Sequence, residues 1–401
     1  MKKNEVRIGV IGLGNMGSYH AEYLQNGEIE NAVLAAVCDI NEKKLNKNGD
    51  SAAYFTDAEK MMKSGLIDAV LIATPHYLHP PLAEAAFENG LHVLLEKPAG
   101  VYIKHVASMN EAAQKSGKVF SMMFQQRVNP IFIKIKKLIN ADETPRSGEN
   151  PCSGKNLRCG ELGEIKRISW IITDWFRTQT YYDSGGWRAT WEGEGGGVLL
   201  NQCPHNLDLW QWICGMPKRV RAFMSFGKYH NIEVEDDVTA YMEYENGATG
   251  LFVTTTGDAP GTNRFEITGD MGKLVCENGK LTLHKNKISD REFSDTSKEA
   301  FATPECEITD IEIKSDDMGY IGITQNFVNA ILNGEPLIVN GFEGIKGLTL
   351  SNAFHTSAIK DKWVDLPLCP DEFLEILNEK RENSTFKKVA SEKTFSLEGS
   401  H

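Results

Sequence analysis

Short apolar runs alternate with longer amphipathic stretches through the first 125 residues. The runs Arg7–Ile11, Ala32–Val37, Ala52–Phe55, Ala69–Ala73, Val93–Leu95 and Val119–Met123 have the length and composition of buried strands. Between them, Ser18–Gln25, Pro80–Glu88 and Lys104–Ser116 carry the spacing of helices. Regular strand–helix alternation predicts a parallel sheet covered on both faces. The pattern then changes. A helix is expected at Pro130–Ile139, followed by a loop or insertion from Asn140 to Gly160, rich in Gly, Pro, Ser and Asn. Alternating strands follow at Ile165–Trp175, Arg219–Phe226, Val238–Tyr244, Thr249–Thr256, Arg264–Thr268, Lys273–Glu277 and Lys280–His284. Asn246-Gly247 and Asn278-Gly279 mark hairpin turns, since both residue types tolerate positive φ. Helices at Ile321–Leu332 and Gly347–Ala358 are expected either to pack on this second sheet or to return to the first.

The reading is therefore an α/β chain. A Rossmann-type domain at 1–125 precedes an α+β domain at 126–396 with a large, open, mostly antiparallel sheet. Residues 397–401 read as vector residue.

The turn after the first strand is Gly12-Leu13-Gly14-Asn15-Met16-Gly17. A first glycine permits the tight turn, a second lets backbone approach a pyrophosphate, and a third lets helix and strand pack closely. Asp39 ends the second strand, where a carboxylate can accept the ribose hydroxyls and repel a 2′-phosphate. NAD is thus expected over NADP, with Lys43 and Lys44 nearby to temper the preference. Glu96-Lys97-Pro98 closes the fifth strand, at the end of the sheet where ligands bind, and so points a lysine at the reactive end of the cofactor.

Composition narrows the partners. The net charge is −12 and there is no run of clustered Lys or Arg, which argues against nucleic acid. No apolar stretch is long enough to span a bilayer, and the Met-Lys-Lys-Asn start leads directly into a strand, so a cytoplasmic protein is expected. Eight cysteines in a chain of 401 residues do not form a disulfide framework. Cys152 and Cys159 flank a polar loop at a spacing that matches no zinc pattern, and no metal is expected.

With the glycine-rich loop, Glu96-Lys97-Pro98 and Gly195-Gly196-Gly197 followed by His205 in this order, the chain resembles the Gfo/Idh/MocA oxidoreductases to about Pro367. The resemblance implies roles residue by residue. Gly12, Gly14, Asn15, Met16 and Gly17 would form the pyrophosphate loop. Thr74, Pro75 and His79 would border the cofactor, with Glu96. Lys97 would lie near both nicotinamide and substrate hydroxyl. Gln125 and Arg127 would lie near the nicotinamide, Arg127 toward substrate. Trp187 and Arg188 would approach the cofactor from the second domain, and His205 would be the catalytic histidine. One position departs: Asn201 stands where many sugar and inositol dehydrogenases of the family have Asp. Asn cannot take up a proton, though it can still bind a hydroxyl. Asp208, one helical turn beyond His205, is an alternative partner for that histidine.

Oxidising a secondary alcohol needs a hydride acceptor, a base and a donor for the developing alkoxide. NAD, His205 and Lys97 suit these roles in turn. The stretch Trp170–Trp191 mixes aromatic rings with Asp174, Arg177, Tyr181, Tyr182 and Arg188. Such a mixture suits a carbohydrate, although some of the aromatics must fill the buried face of the sheet. Asp174, Tyr181, Tyr182 and Asn201 are the further substrate candidates. Three functions fit this sequence. The first is an NAD-dependent dehydrogenase of a sugar, cyclitol or glycoside. The second is an NAD-retaining glycosidase working by transient oxidation and elimination. The third is a silent nucleotide- or sugar-sensing protein. A homodimer through the second sheet is also expected, doubled to a tetramer if the chain follows the family.

Overall fold

The computed structural model describes residues 5–45, 52–140 and 160–388. Cys152, Cys159, all but the two ends of the polar stretch Asn140–Gly160 and the tail 397–401 lie outside the described residues. The first half runs β1 (Val6–Ile11), α1 (Asn15–Gln25), β2 (Ala32–Cys38), α2 (Glu42–Leu45), β3 (Ala53–Phe55), α3 (Ala58–Met62), β4 (Ala69–Ile72), α4 (His79–Glu88), β5 (His92–Leu95), α5 (Ile103–Ser116) and β6 (Phe120–Met122). The six strands pair in parallel in the order β3-β2-β1-β4-β5-β6. β4 and β6 are buried at every residue; β4 is accordingly an unbroken apolar run, and the buried Ser121 of β6 donates to the Val339 carbonyl at 2.8 Å. The strand order reverses between β1 and β4, and a doubly wound sheet takes its ligand at the carboxyl ends of such a pair.

The second half continues with α6 (Pro130–Ile139), β7 (Ile165–Ile172), α7 (Gln179–Asp183), α8 (Pro204–Cys214), β8 (Arg219–Phe226), β9 (Glu235–Glu243), β10 (Thr249–Thr255), β11 (Asn263–Gly269), β12 (Gly272–Glu277) and β13 (Lys280–Asn286). It ends with α9 (Asp290–Thr296), β14 (Cys306–Ile311), α10 (Gly319–Asn333), α11 (Gly344–Lys360), β15 (Val364–Asp365) and α12 (Pro370–Glu382). Nine strands form one sheet in the order β14-β13-β12-β11-β7-β10-β9-β8-β15. All neighbours are antiparallel except β7 and β10. Its inner face carries Trp170, Val238, Phe252 and Phe265, covered by α8 and α11. Trp210 of α8 packs edge-on against Phe252 and donates to the Tyr244 hydroxyl at 2.8 Å.

Three expectations need correction. β7 stops at Ile172, because the Thr173 N–H turns to the Thr262 carbonyl at 2.7 Å; Asp174 and Trp175 therefore lie beyond the sheet. At the β9–β10 hairpin only Gly247 has positive φ, 83°, and Asn246 instead accepts the Ala248 N–H at 3.1 Å; at β12–β13 both Asn278 and Gly279 are left-handed. Val238 and Phe252 face inward. The outer face is apolar where Phe223, Tyr241, Leu251 and Val253 meet across β8–β10, with Phe223 59% exposed. Toward β11–β12 it becomes charged, with Arg264 paired to Glu266 and Glu277.

The late helices divide their work. α10 returns to the parallel sheet: Thr324 and Tyr23 share a hydrogen bond at 2.7 Å, and Gln325 accepts the Glu30 N–H at 2.7 Å. α11 lies against β8 and α8 and also reaches α5. The chain after β6 thus closes over both sheets, which brings the carboxyl ends of β4 and β5 against the second half. No helix among the described residues is long and apolar enough to cross a membrane.

Candidate active site

The glycine-rich turn has the geometry its sequence implies. Gly12 sits at φ 90°, and a Cβ there would meet the Ala73 carbonyl oxygen at 2.7 Å. A Cβ on Gly17 would fall 1.7 Å from the Gly12 oxygen, so strand and helix touch at that point. A Cβ on Gly14 would meet nothing within 4 Å. Gly14 is also the N-cap of α1, which begins at Asn15 and Met16, and no side chain caps it. The first N–H groups of α1 therefore face open space, as a pyrophosphate cradle requires. Asp39 stands across this turn, one oxygen accepting the Leu13 N–H at 2.7 Å and the other the Asn41 N–H at 2.9 Å. The Lys44 ammonium is 3.4 Å from it. Two buried polar atoms near the strand ends, Thr74 Oγ1 and Gln125 Oε1, have no hydrogen-bond partner among the described residues, whereas Gln125 Nε2 donates to Tyr320 at 3.1 Å. Open helix N–H groups, an acidic strand end and orphaned acceptors together fit a dinucleotide.

Lys97 projects from the end of β5, and its neighbour anchors it. The Glu96 carboxylate is turned inward, receiving a bond from His20 Nε2 at 2.7 Å and from the Lys97 N–H at 3.0 Å. Burial opposes its ionisation, but His20 and Lys97 outweigh that and hold its pKa below the usual range. Lys97 Nζ donates to the Asn201 carbonyl at 2.9 Å. Burial lowers the Lys97 pKa, opposed by the attraction of Glu96. His205 lies in the first turn of α8, behind Pro204 at N1, with its ring edge-on to Phe124 at 6.0 Å.

A polar cluster from the segment 181–202 meets Lys97. The Tyr181 hydroxyl receives bonds from Arg188 and Gln202, each at 3.0 Å, and donates to Asn201 Oδ1 at 3.3 Å. The Arg188 guanidinium lies over the Tyr181 ring at 4.7 Å and the Trp187 ring at 4.4 Å. Trp187 packs edge-on to His76 at 5.1 Å. Behind them is Glu194, 1% exposed, which accepts the Ala189 N–H at 2.6 Å and a bond from Asn201 Nδ2.

The structure thus brings Lys97, Tyr181, Trp187, Arg188 and Asn201 into one polar cluster, with His205 on the adjoining first turn of α8. It places several expected residues elsewhere. Arg127, 1% exposed, grips Asp208 with two bonds at 2.6 and 2.7 Å and also pairs with Glu343. Its guanidinium has little left for a substrate, and Asp208 serves Arg127 and Gln211. Tyr182 is core: its hydroxyl bonds Thr256 at 2.7 Å. His79 is buried between the carbonyls of Pro98 and Thr74, at 2.6 and 2.7 Å, and ties those two turns together instead of facing a cofactor. The Glu96 side chain is likewise withdrawn. Asp174 is exposed just past β7 and accepts from Asn263 at 3.1 Å.

Glu194, His76 and Gln202 were not foreseen. Each adjoins a recognised motif, which was the available signal: Glu194 precedes the glycine run, His76 follows Thr74-Pro75, and Gln202 follows Asn201. Lys388 had none. It arrives from beyond α12 and donates to the Arg188 carbonyl at 2.6 Å and the Ser184 carbonyl at 3.5 Å. Burial pushes its pKa down to about 8.

Residues 6–124 match the oxidoreductase family with an NAD-binding Rossmann fold named GFO/IDH/MocA, and residues 155–275 match the GFO/IDH/MocA C-terminal domain. Among curated proteins, the chain is similar to a myo-inositol 2-dehydrogenase of Thermotoga maritima, 25% identical over 90% of this chain and 98% of that one. It is also similar to the NAD-dependent scyllo-inositol 2-dehydrogenase of Bacillus subtilis, 23% identical over 68% of this chain and 74% of that one. Among solved structures, the WlbA dehydrogenase of Bordetella pertussis, in complex with NADH and UDP-GlcNAcA, superposes with a TM-score of 0.71 at 25% identity, covering 91% of this chain and all of that one. A parallel sheet in Rossmann order, an open glycine turn and two matching domains agree, and the chain belongs to the Gfo/Idh/MocA family of NAD-binding oxidoreductases.

Proposed function

We propose that this protein oxidises a secondary hydroxyl of a sugar, cyclitol or glycoside, with Lys97 and His205 handling the proton. The observation that carries the reading is the convergence on Lys97: a lysine anchored from behind by Glu96 meets a ring of hydroxyl, amide and guanidinium groups from a second element. NAD, when bound along the glycine turn, supplies the hydride acceptor.

The residues of the chain do the rest. Gly12, Gly14, Asn15, Met16 and Gly17 cradle the pyrophosphate, and Asp39 takes the ribose hydroxyls. Thr74 and Gln125 present acceptors to the cofactor's polar edge. Lys97 donates to the substrate oxygen and steadies negative charge on it. Its depressed pKa also lets it pass a proton at lower pH than a free lysine. His205 takes up the hydroxyl proton. Positioned acid–base groups of this kind contribute roughly 10²- to 10⁴-fold. Trp187 and Arg188 border the cofactor, while Tyr181 and Asn201 bind neighbouring substrate hydroxyls. Residues 1–125 then serve mainly the cofactor and 126–396 the substrate. The inositol and nucleotide-sugar chemistry in the names of the relatives supports a polyhydroxylated ring. The apolar outer face of β8–β10 supports a homodimer across that sheet.

Lys97→Ala and His205→Ala test the assignment. Each is expected to collapse kcat while leaving NAD affinity, read by fluorescence titration, close to wild type. Near-normal turnover in either variant would overturn the assigned role.

A further inference from the structure

Asn201 lies at the centre of the site, yet an amide neither accepts a proton nor carries charge. The structure surrounds it with cations: Lys97 bonds its carbonyl, and Arg188 and Arg177 are close enough to Lys97 to depress its pKa. A carboxylate comes from the other side. Glu194 sits in the turn before Gly195, its Oε2 held by the Ala189 N–H at 2.6 Å and its Oε1 receiving the Asn201 amide N–H. A carboxylate only accepts, so this contact fixes which end of the amide points where. Nδ2 must face Glu194, and Oδ1 is left to the Tyr181 hydroxyl at 3.3 Å.

We propose that Glu194 is a positioning residue for this site. It turns the Asn201 amide so that its oxygen can accept from a substrate hydroxyl, and it supplies beside Lys97 the negative charge that Asn201 lacks. The substrate half of this statement rests on the function proposed above; the electrostatic half does not. The charges that face Glu194 are Arg188, Lys97, Lys388 and, repulsively, Glu235. Those that face Lys97 are Glu96 and Glu194 against Arg188 and Arg177, and its charge in turn reaches His76 and His79. Burial, the largest influence, with Glu235 adding to it, holds the Glu194 pKa above the usual carboxylate value; Arg188 and the two N–H donors oppose that rise in part.

Two readouts on the full-length chain test the proposal. The first measures the titration of the Lys97 amine by competitive acylation across pH, read by peptide mass spectrometry without substrate. Glu194→Gln keeps an acceptor for Ala189 but removes the anion, so the Lys97 pKa should fall below wild type. Adding Asn201→Asp in that background restores an anion beside Lys97 and should raise it again. Unchanged Lys97 titration in Glu194→Gln would overturn the proposal. The second measures steady-state oxidation. Glu194→Gln should lose roughly ten- to a hundredfold in kcat/KM, the range of one hydrogen bond to a charged group. Asn201→Asp alone should also lose activity, because two carboxylates then crowd one another. The double variant should recover most of the loss. Equal loss in the double and single variants, with unchanged melting temperature, would mean that Glu194 only supports the turn. If Glu194→Gln does not fold, Glu194→Asp decides: it keeps the charge but withdraws the anion by one methylene, so the Lys97 pKa should again fall below wild type, and an unchanged Lys97 titration overturns the proposal. If the wild type oxidises no hydroxyl compound, the function reading falls by itself, and the acylation result still decides the charge placed by Glu194.

Discussion

Removing one partner of the Arg127–Asp208 pair leaves a buried charge uncompensated, a change worth about 3–5 kcal/mol of stability. Asp208→Asn should therefore lower the unfolding free energy, read by denaturant titration, by up to about that amount, Glu343 remaining as a second partner for Arg127, while KM of the folded fraction changes little. A raised KM at unchanged stability would return Arg127 to the substrate. Arg127 was legible as a residue near the sixth strand but not as a consumed one, because its partners Asp208 and Glu343 lie far along the chain. Glu194 was hidden for the same reason: nothing local says that a glutamate before a glycine run will reach Asn201. Asp39 was different, since its place beside the glycine turn follows from the strand it ends. Asp39→Ala should relax the preference for NAD over NADP, and Lys44, now held 3.4 Å from the carboxylate, would be freed to meet a 2′-phosphate. The ratio of kcat/KM for the two cofactors measures this, and a wild type that prefers NADP would contradict it.

At the scale of elements, the glycine turn separates binding from folding. Gly17→Ala puts a methyl 1.7 Å from the Gly12 oxygen, so both melting temperature and NAD affinity should drop. Gly14→Ala meets no protein atom within 4 Å, so the fold should hold while the methyl blocks the approach of the pyrophosphate. Equal loss of melting temperature in both variants would show that Gly14 is needed for the turn itself. Elements with a strong period were readable: β1 to β6, α6 and β8 fall at or within a residue or two of their sequence positions. β14 was not, because almost all its residues are exposed and no inward face writes an alternation. β15 has two residues, and it exists only through its pairing with β8. α12 carried usable signals that went unread: Pro370 at N1, Asp371 and Glu372 in the first turn, Lys380 and Arg381 in the last.

At the scale of the whole molecule, two sheets share one site because the late helices close back over both. The apolar patch of Phe223, Tyr241, Leu251 and Val253 on the outer face of β8–β10 is the surface a two-fold dimer would bury. Light scattering should report a dimer or its multiple at micromolar concentration, and Phe223→Asp with Tyr241→Asp should shift it toward monomer. A monomeric wild type would contradict that assembly. The central claim concerns chemistry, and one measurement reaches it most directly. Wild type and Lys97→Ala are incubated with NAD and a panel of inositols, aldoses and glycosides, and both NADH absorbance and free sugar are followed. The account predicts that at least one polyhydroxylated ring yields NADH with wild type and essentially none with Lys97→Ala. Glycoside cleavage without net NADH, or NADH formation that survives the loss of Lys97, would contradict it.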